Sequence, residues 1–147
     1  MKALNEMKLQ IESRSVNEAF ARASVAAFAA QTDPSVEEIS DIKTAVSEAV
    51  TNAIVHGYPD KVGKIYIWAG IYENGLFKVK IRDKGLGIAD VRQAMEPLFT
   101  TLGGERAGLG FAVMESFCDK IHVNSKIGKG TTVTLEKLLK GRTGGDD

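Results

Sequence analysis

The chain has 147 residues, 44% hydrophobic and 26% charged, the balance of an ordinary soluble domain with room for a core. Nineteen basic and nineteen acidic side chains cancel, and the chain shows no basic stripe, which argues against direct nucleic-acid binding. No apolar run approaches the ~20 residues of a membrane span, the first ten residues lack a signal-peptide core, and the single cysteine, Cys118, cannot form an internal disulfide; a cytoplasmic protein is expected, with one domain over 1–140.

Met7, Leu9 and Ile11 alternate and predict a first strand. Ser15, followed three residues later by Glu18, has the form of a capping box. Val16, Phe20, Ala23 and Ala27 then recur at helical spacing to about Gln31, and Phe20, Ala23 and Ala27 are expected to supply the buried stripe. Asp33-Pro34 reads as the start of a second helix, with an acid at the cap and proline in the first turn. Ile39, Ile42, Val46, Ala49, Val50 and Ala53 carry that helix to about Val55, and His56-Gly57-Tyr58-Pro59 ends it. Residues 65–72 and 76–82 read as strands on either side of Glu73-Asn74-Gly75, a hairpin signal. A short helix is expected over 88–96, a loop over 97–107 and a helix over 109–118. Two further strands follow at 120–125 and 131–138, across a turn at 126–130, and a disordered tail is expected over 141–147. The resulting order predicts an α/β fold: a two-layer sandwich whose mostly antiparallel sheet is covered on one face by helices. Cys118 sits in the apolar pattern of Phe111, Val113, Met114 and Phe117 and is expected to pack; no Cys/His cluster has zinc spacing.

Three motifs carry chemistry. Asp83-Lys84-Gly85-Leu86-Gly87 closes a strand, and a carboxylate there can accept from an exocyclic amine while the glycines let a flat ring approach the backbone. Gly108-Leu109-Gly110 opens a helix, offering N–H groups and a positive dipole end to phosphate. Together they read as the adenine and phosphate halves of one nucleotide site. Both standard phosphate loops are absent: Leu109 stands where a Walker lysine should follow Gly108, and Asp90 and Val113 occupy the third-glycine places of a dinucleotide fingerprint. The third motif is Glu48 and Asn52, four apart on one helical face. An asparagine oxygen suits Mg²⁺, and a carboxylate one turn away can take a proton from an attacking hydroxyl.

In order, Glu48-x-x-x-Asn52, Asp83-x-Gly85-x-Gly87, Gly108-x-Gly110 and Gly128-Lys129-Gly130-Thr131 resemble the GHKL superfamily of gyrase, heat-shock protein 90, histidine kinases and MutL-type proteins. The segments SEAVTNAIVHGY (47–58), PLFTT (97–101) and NEAFAR (17–22) are similar to those of the bacterial anti-sigma factor serine kinases, in their sporulation branch, and this resemblance covers residues 4–138. It implies a dimeric kinase that holds a sigma factor inactive and uses ATP and Mg²⁺ to phosphorylate a serine on an anti-anti-sigma protein, leaving ADP. It implies that Asp83 accepts from the adenine amine, with Gly85 and Gly87 lining the ring and Thr131 supporting the pocket. Asn52 would hold Mg²⁺ and Glu48 would be the general base. Gly108, Leu109 and Gly110 would meet the phosphates, while Thr100 to Arg106, with Thr101 among them, would form a lid with Arg106 near the γ-phosphate. Glu18 and Arg22 match partner-contacting positions. Ala19 replaces a polar residue of the family, and the lid is about one residue shorter. Two alternatives stay open: a general-stress anti-sigma kinase, and a nucleotide-switched binding module without catalysis.

Overall fold

A computed structural model describes residues 2–91 and 107–141, with only the backbone of 107–109. In chain order it contains β1 (Asn5–Glu12), α1 (Asn17–Ala29), a 3₁₀ turn (Ala30–Thr32), α2 (Val36–Asn52), a π-helical turn (Ala53–Gly57), β2 (Lys64–Ile71), β3 (Leu76–Asp83), α3 (Ala107–Phe117), β4 (Lys120–Lys126) and β5 (Gly130–Leu138). The strands lie in the order β1-β2-β3-β5-β4 with every neighbouring pair antiparallel; the two expected hairpins are β2–β3 and β4–β5. The β2–β3 hairpin turns through Asn74 and Gly75, both at positive φ. Period-two alternation sends Ile65, Ile67, Phe77, Val79 and Ile81 inward, where they meet Ile42, Ala45, Val46, Ala49 and Val50 of α2.

The first helix departs from its expected face. Ala21, Val25, Ala26 and Ala29 are buried, whereas Val16 and Phe20 are 77% and 55% exposed and Ala23 and Ala27 are exposed as well. The helix is alanine-rich all round, so helical periodicity fits two faces. Close packing on α2 and the sheet selects the one with the smaller side chains. The expected Ser15–Glu18 box does not form: α1 has no side-chain cap, and Glu18 donates its N–H to the Ser15 carbonyl instead.

A capping box does form one helix later, at Ser35 rather than Asp33. Asp33 has φ 54° and closes the preceding 3₁₀ turn. Ser35 is extended; its Oγ accepts from Glu38 N–H at 3.1 Å, and Glu38 Oε1 accepts from Ser35 N–H at 2.8 Å. The same carboxylate accepts from the amides of Lys140 and Gly141 at 2.7 and 3.1 Å, clasping the end of the chain beyond β5 to the start of α2. Burial alone would raise the Glu38 carboxyl, but these amides and Ser35 hold it below the usual carboxylate range. Glu38→Gln is expected to cost about 1–2 kcal/mol, the range of a lost cap. Because the folded value is depressed, this stability is present above the ordinary carboxylate range and lost as pH falls through the folded value. Thermal melts should show a gap between the two proteins at neutral pH that narrows in acid; equal melting at neutral pH would remove the clasp.

The sheet's other face corrects the impression of a chain without a basic stripe. Lys78, Lys80 and Arg82 alternate with core residues along β3, so they form no run in sequence, yet pleating gathers them on one surface beside Lys8, Tyr66 and Trp68. Lys80 Nζ lies 5.3 Å over the Trp68 ring and Lys84 Nζ 4.9 Å over Tyr66.

Candidate active site

Asp83 ends β3 facing the helices and is 5% exposed. Its Oδ1 accepts from Gly85 N–H at 2.9 Å, and the Thr131 amide supports it from β5, where the two residues are paired. Burial is the dominant influence and pushes the Asp83 carboxyl above the usual range despite these two amides. The turn after Asp83 lies against the end of the second helix. A Cβ on Gly57 would stand 2.8 to 3.0 Å from the Asp83 carboxylate, and one on Gly85 would collide with the Gly57 carbonyl. That carbonyl instead accepts from Leu86 N–H at 3.0 Å. Gly85 is therefore required for close approach.

Thr131 Oγ1 lies 2.7 Å from Ser125 Oγ, which also accepts from Ile88 N–H at 2.7 Å and donates to the Gly130 carbonyl at 3.1 Å. With its own proton on Gly130, Ser125 receives the Thr131 proton, leaving Thr131 oxygen lone pairs for a ligand. Ser125 escaped the sequence reading. Its signal was a hydroxyl in the inward phase of β4, alternating with Ile121 and Val123.

Glu48 and Asn52 share one face of α2 and meet the start of α3. A Cβ on Gly110 would stand 3.1 and 3.2 Å from the two amide atoms of Asn52 and 3.3 Å from Glu48 Oε2. The backbone that opens α3, through Gly108 and Leu109, thus begins against this pair. Asn52 Nδ2 is buried without a hydrogen-bond partner among the described residues. Straight after Asn52 the helix widens into the π turn Ala53–Gly57, which delivers Gly57 to Asp83. Isolated π turns recur at functional sites. Sequence periodicity registers no such turn, because one extra residue per turn leaves no period of its own.

Thr100, Thr101 and Arg106, with the predicted lid and most of the predicted helix over 88–96, lie outside the described residues, as does the Leu109 side chain. On α1, Arg22 Nε pairs with Glu18 Oε2 at 3.5 Å, their side chains 41% and 22% exposed. Cys118 follows α3, and burial pushes its thiol up to about 11, so it stays protonated and inert. No helix among the described residues is long and apolar enough to cross a membrane.

This antiparallel sheet with its helices on one face is the fold of the histidine kinase-like ATPase domains, and the model of that family matches residues 11–137. The anti-sigma F factor of Thermoanaerobacter sp. (strain X514) is 55% identical over 95% of this chain and 97% of its own length. That of Geobacillus thermodenitrificans is 52% identical over 92% of this chain and 93% of its own. The chain belongs to the anti-sigma F factor family. Among solved structures, the RsbU and RsbW domains of a Mycobacterium tuberculosis protein superpose with a TM-score of 0.69 at 23% identity, over 92% of this chain and 32% of that one. A blue-light activated histidine kinase of Erythrobacter litoralis superposes at 0.58 and 21% identity, over 80% and 40%. These two likenesses concern the fold.

Proposed function

We propose that this protein is a single-domain, cytoplasmic anti-sigma kinase: as a homodimer it binds and inhibits a sporulation sigma factor, and with ATP and Mg²⁺ it phosphorylates a serine on an anti-anti-sigma protein. The observation that carries the catalytic part is the placement of Glu48 and Asn52 against Gly110 at the start of α3, one π turn from the Gly57–Asp83 contact. Asp83 accepts from the adenine amine, with Gly85 and Gly87 beside the ring and Thr131 behind it. The α3 N-terminus, at Gly108 to Gly110, offers its amides to the phosphates. Asn52 would hold Mg²⁺: its side-chain oxygen could serve as a ligand while its nitrogen, without a partner among the described residues, could meet a phosphate oxygen, and a cation that keeps most of its waters needs few protein ligands. The metal, when bound, supplies charge neutralisation on the phosphates. Glu48 takes the proton of the substrate serine as its oxygen bonds to the γ-phosphorus and the bond to the β-phosphate oxygen breaks, releasing ADP. Thr100, Thr101 and Arg106 belong to the lid over this step.

Purified protein mixed with radiolabelled ATP and the candidate anti-anti-sigma protein should pass label to a serine of that protein. Retained binding without transfer would favour the nucleotide-switched binding module.

We propose α1 as the partner surface; there Val16, Phe20, Ala23 and Ala27 leave an uncovered apolar stripe beside the Glu18–Arg22 pair. Such a stripe next to an arginine has the composition of a binding hot spot. Arg22→Ala should fold and bind ATP normally, since a part-exposed ion pair contributes little to stability. Its affinity for sigma factor and anti-anti-sigma protein should fall by ~2 kcal/mol or more. Co-elution of both partners with the variant at wild-type levels would remove Arg22 from the interface.

A further inference from the structure

We infer that the Tyr58 hydroxyl is a positioning group for adenine selectivity, acting through Asp83; the inference rests on the adenine reading of that carboxylate. Tyr58 follows the π turn and is 6% exposed. Its hydroxyl accepts from the Lys84 N–H at 2.7 Å and donates to the Lys64 carbonyl at 2.7 Å. The Lys84 nitrogen belongs to the peptide that leaves Asp83, so this bond fixes the backbone on one side of the carboxylate. Gly85 N–H fixes the carboxylate itself from the other. The ring has little freedom to give way: a Cβ on Gly63 would overlap it, and Gly63 is held in turn by hydrogen bonds in both directions with Ser13. One buried hydroxyl therefore ties three pieces together: the end of the helix that carries Glu48 and Asn52, the entry of β2, and the exit of β3. A shift of a few tenths of an ångström in the Asp83 carboxylate spoils its bond to an exocyclic amine, because hydrogen bonds weaken steeply with distance and angle.

The test compares ATP with inosine triphosphate, whose ring bears an oxygen where adenine bears the amine, in the full chain and in Tyr58→Phe, Asp83→Asn and the double variant. Tyr58→Phe keeps the ring and its burial. Its ATP affinity should fall about five- to tenfold, while inosine triphosphate affinity should stay within about twofold, which also certifies the fold. On the Asp83→Asn background, Tyr58→Phe should change ATP affinity by no more than about twofold, because both changes remove one interaction. Equal losses for both nucleotides, loss of cooperative melting, or additive effects in the double variant would assign the hydroxyl to general stability and overturn the inference. If Asp83→Asn weakens ATP binding but Tyr58→Phe does not, the inference alone fails. If Asp83→Asn leaves ATP affinity unchanged, the adenine reading fails and takes the inference with it.

Discussion

Glu48→Gln is expected to bind ATP as the native protein does and to transfer phosphate ~10²–10⁴ times more slowly, the usual loss of a general base. The substitution keeps side-chain length and hydrogen-bonding capacity, so the face that Glu48 shares with Asn52 should persist. What goes is the ability to accept a full proton while the serine oxygen attacks. The base must stand where a hydroxyl and the terminal phosphate can both reach it. Glu48 Oε2 meets that condition by lying close to the position a Cβ would take on Gly110, at the start of the helix assigned to the phosphates. Asn52→Ala should separate cleanly from it. That change removes the metal ligand, so binding of Mg²⁺-ATP should weaken more than binding of metal-free ATP. Single-turnover transfer with radiolabelled ATP, read beside fluorescent-nucleotide titrations, measures all three. Full-rate transfer by Glu48→Gln would strip Glu48 of its role.

The parts of this molecule that were readable in sequence are those where one physical demand acts alone. Strand alternation at Phe77, Val79 and Ile81 answers to burial on one face, and the α2 pattern of Ile42, Val46, Ala49 and Val50 answers to the same core. Glu48 and Asn52 could be paired on paper because helical geometry alone puts residues four apart together. Where two demands compete, reading from sequence misassigns. On α1 two alanine-rich faces can pass for the inner one, and the choice depends on how closely α2 and the sheet approach, which no single helix encodes. At the start of α2, Asp33 and Ser35 are both good caps, and the left-handed turn at Asp33 decides between them. The basic surface shows the opposite failure: its members are spaced two apart and contributed by separate strands, so a scan for charge runs passes over them. Ser125 and Tyr58 were missed for a related reason. Each supports the site through hydrogen bonds to backbone groups distant in sequence, 37 residues away for Ile88 and 26 for Lys84. A tyrosine after a helix end or a serine in a strand carries no mark of such a partner.

Asp83→Asn should lower ATP affinity about tenfold to a hundredfold, equivalent to roughly 1.5–3 kcal/mol for a lost charge-assisted hydrogen bond in a buried site. The fold should survive. The amide oxygen of Asn can still accept the Gly85 N–H that now goes to Oδ1, and the substitution removes an ionisable group whose burial is unfavourable. The pH dependence carries a second signature. Burial raises the Asp83 carboxyl in the folded protein, so ionising it opposes folding: stability of the nucleotide-free protein declines as pH rises from the ordinary carboxylate range through the raised value. An adenine amine favours the ionised form, so nucleotide affinity should fall as pH drops through the same raised value. Asp83→Asn removes the group that titrates, and both of these dependences should flatten together. Calorimetric titration across that window, with melts of the free proteins alongside, reads the two effects independently. A variant that binds ATP as tightly as the native chain, or keeps its pH dependence, would take Asp83 out of the adenine site and leave its buried carboxylate as an element of the β3–β5 pairing alone.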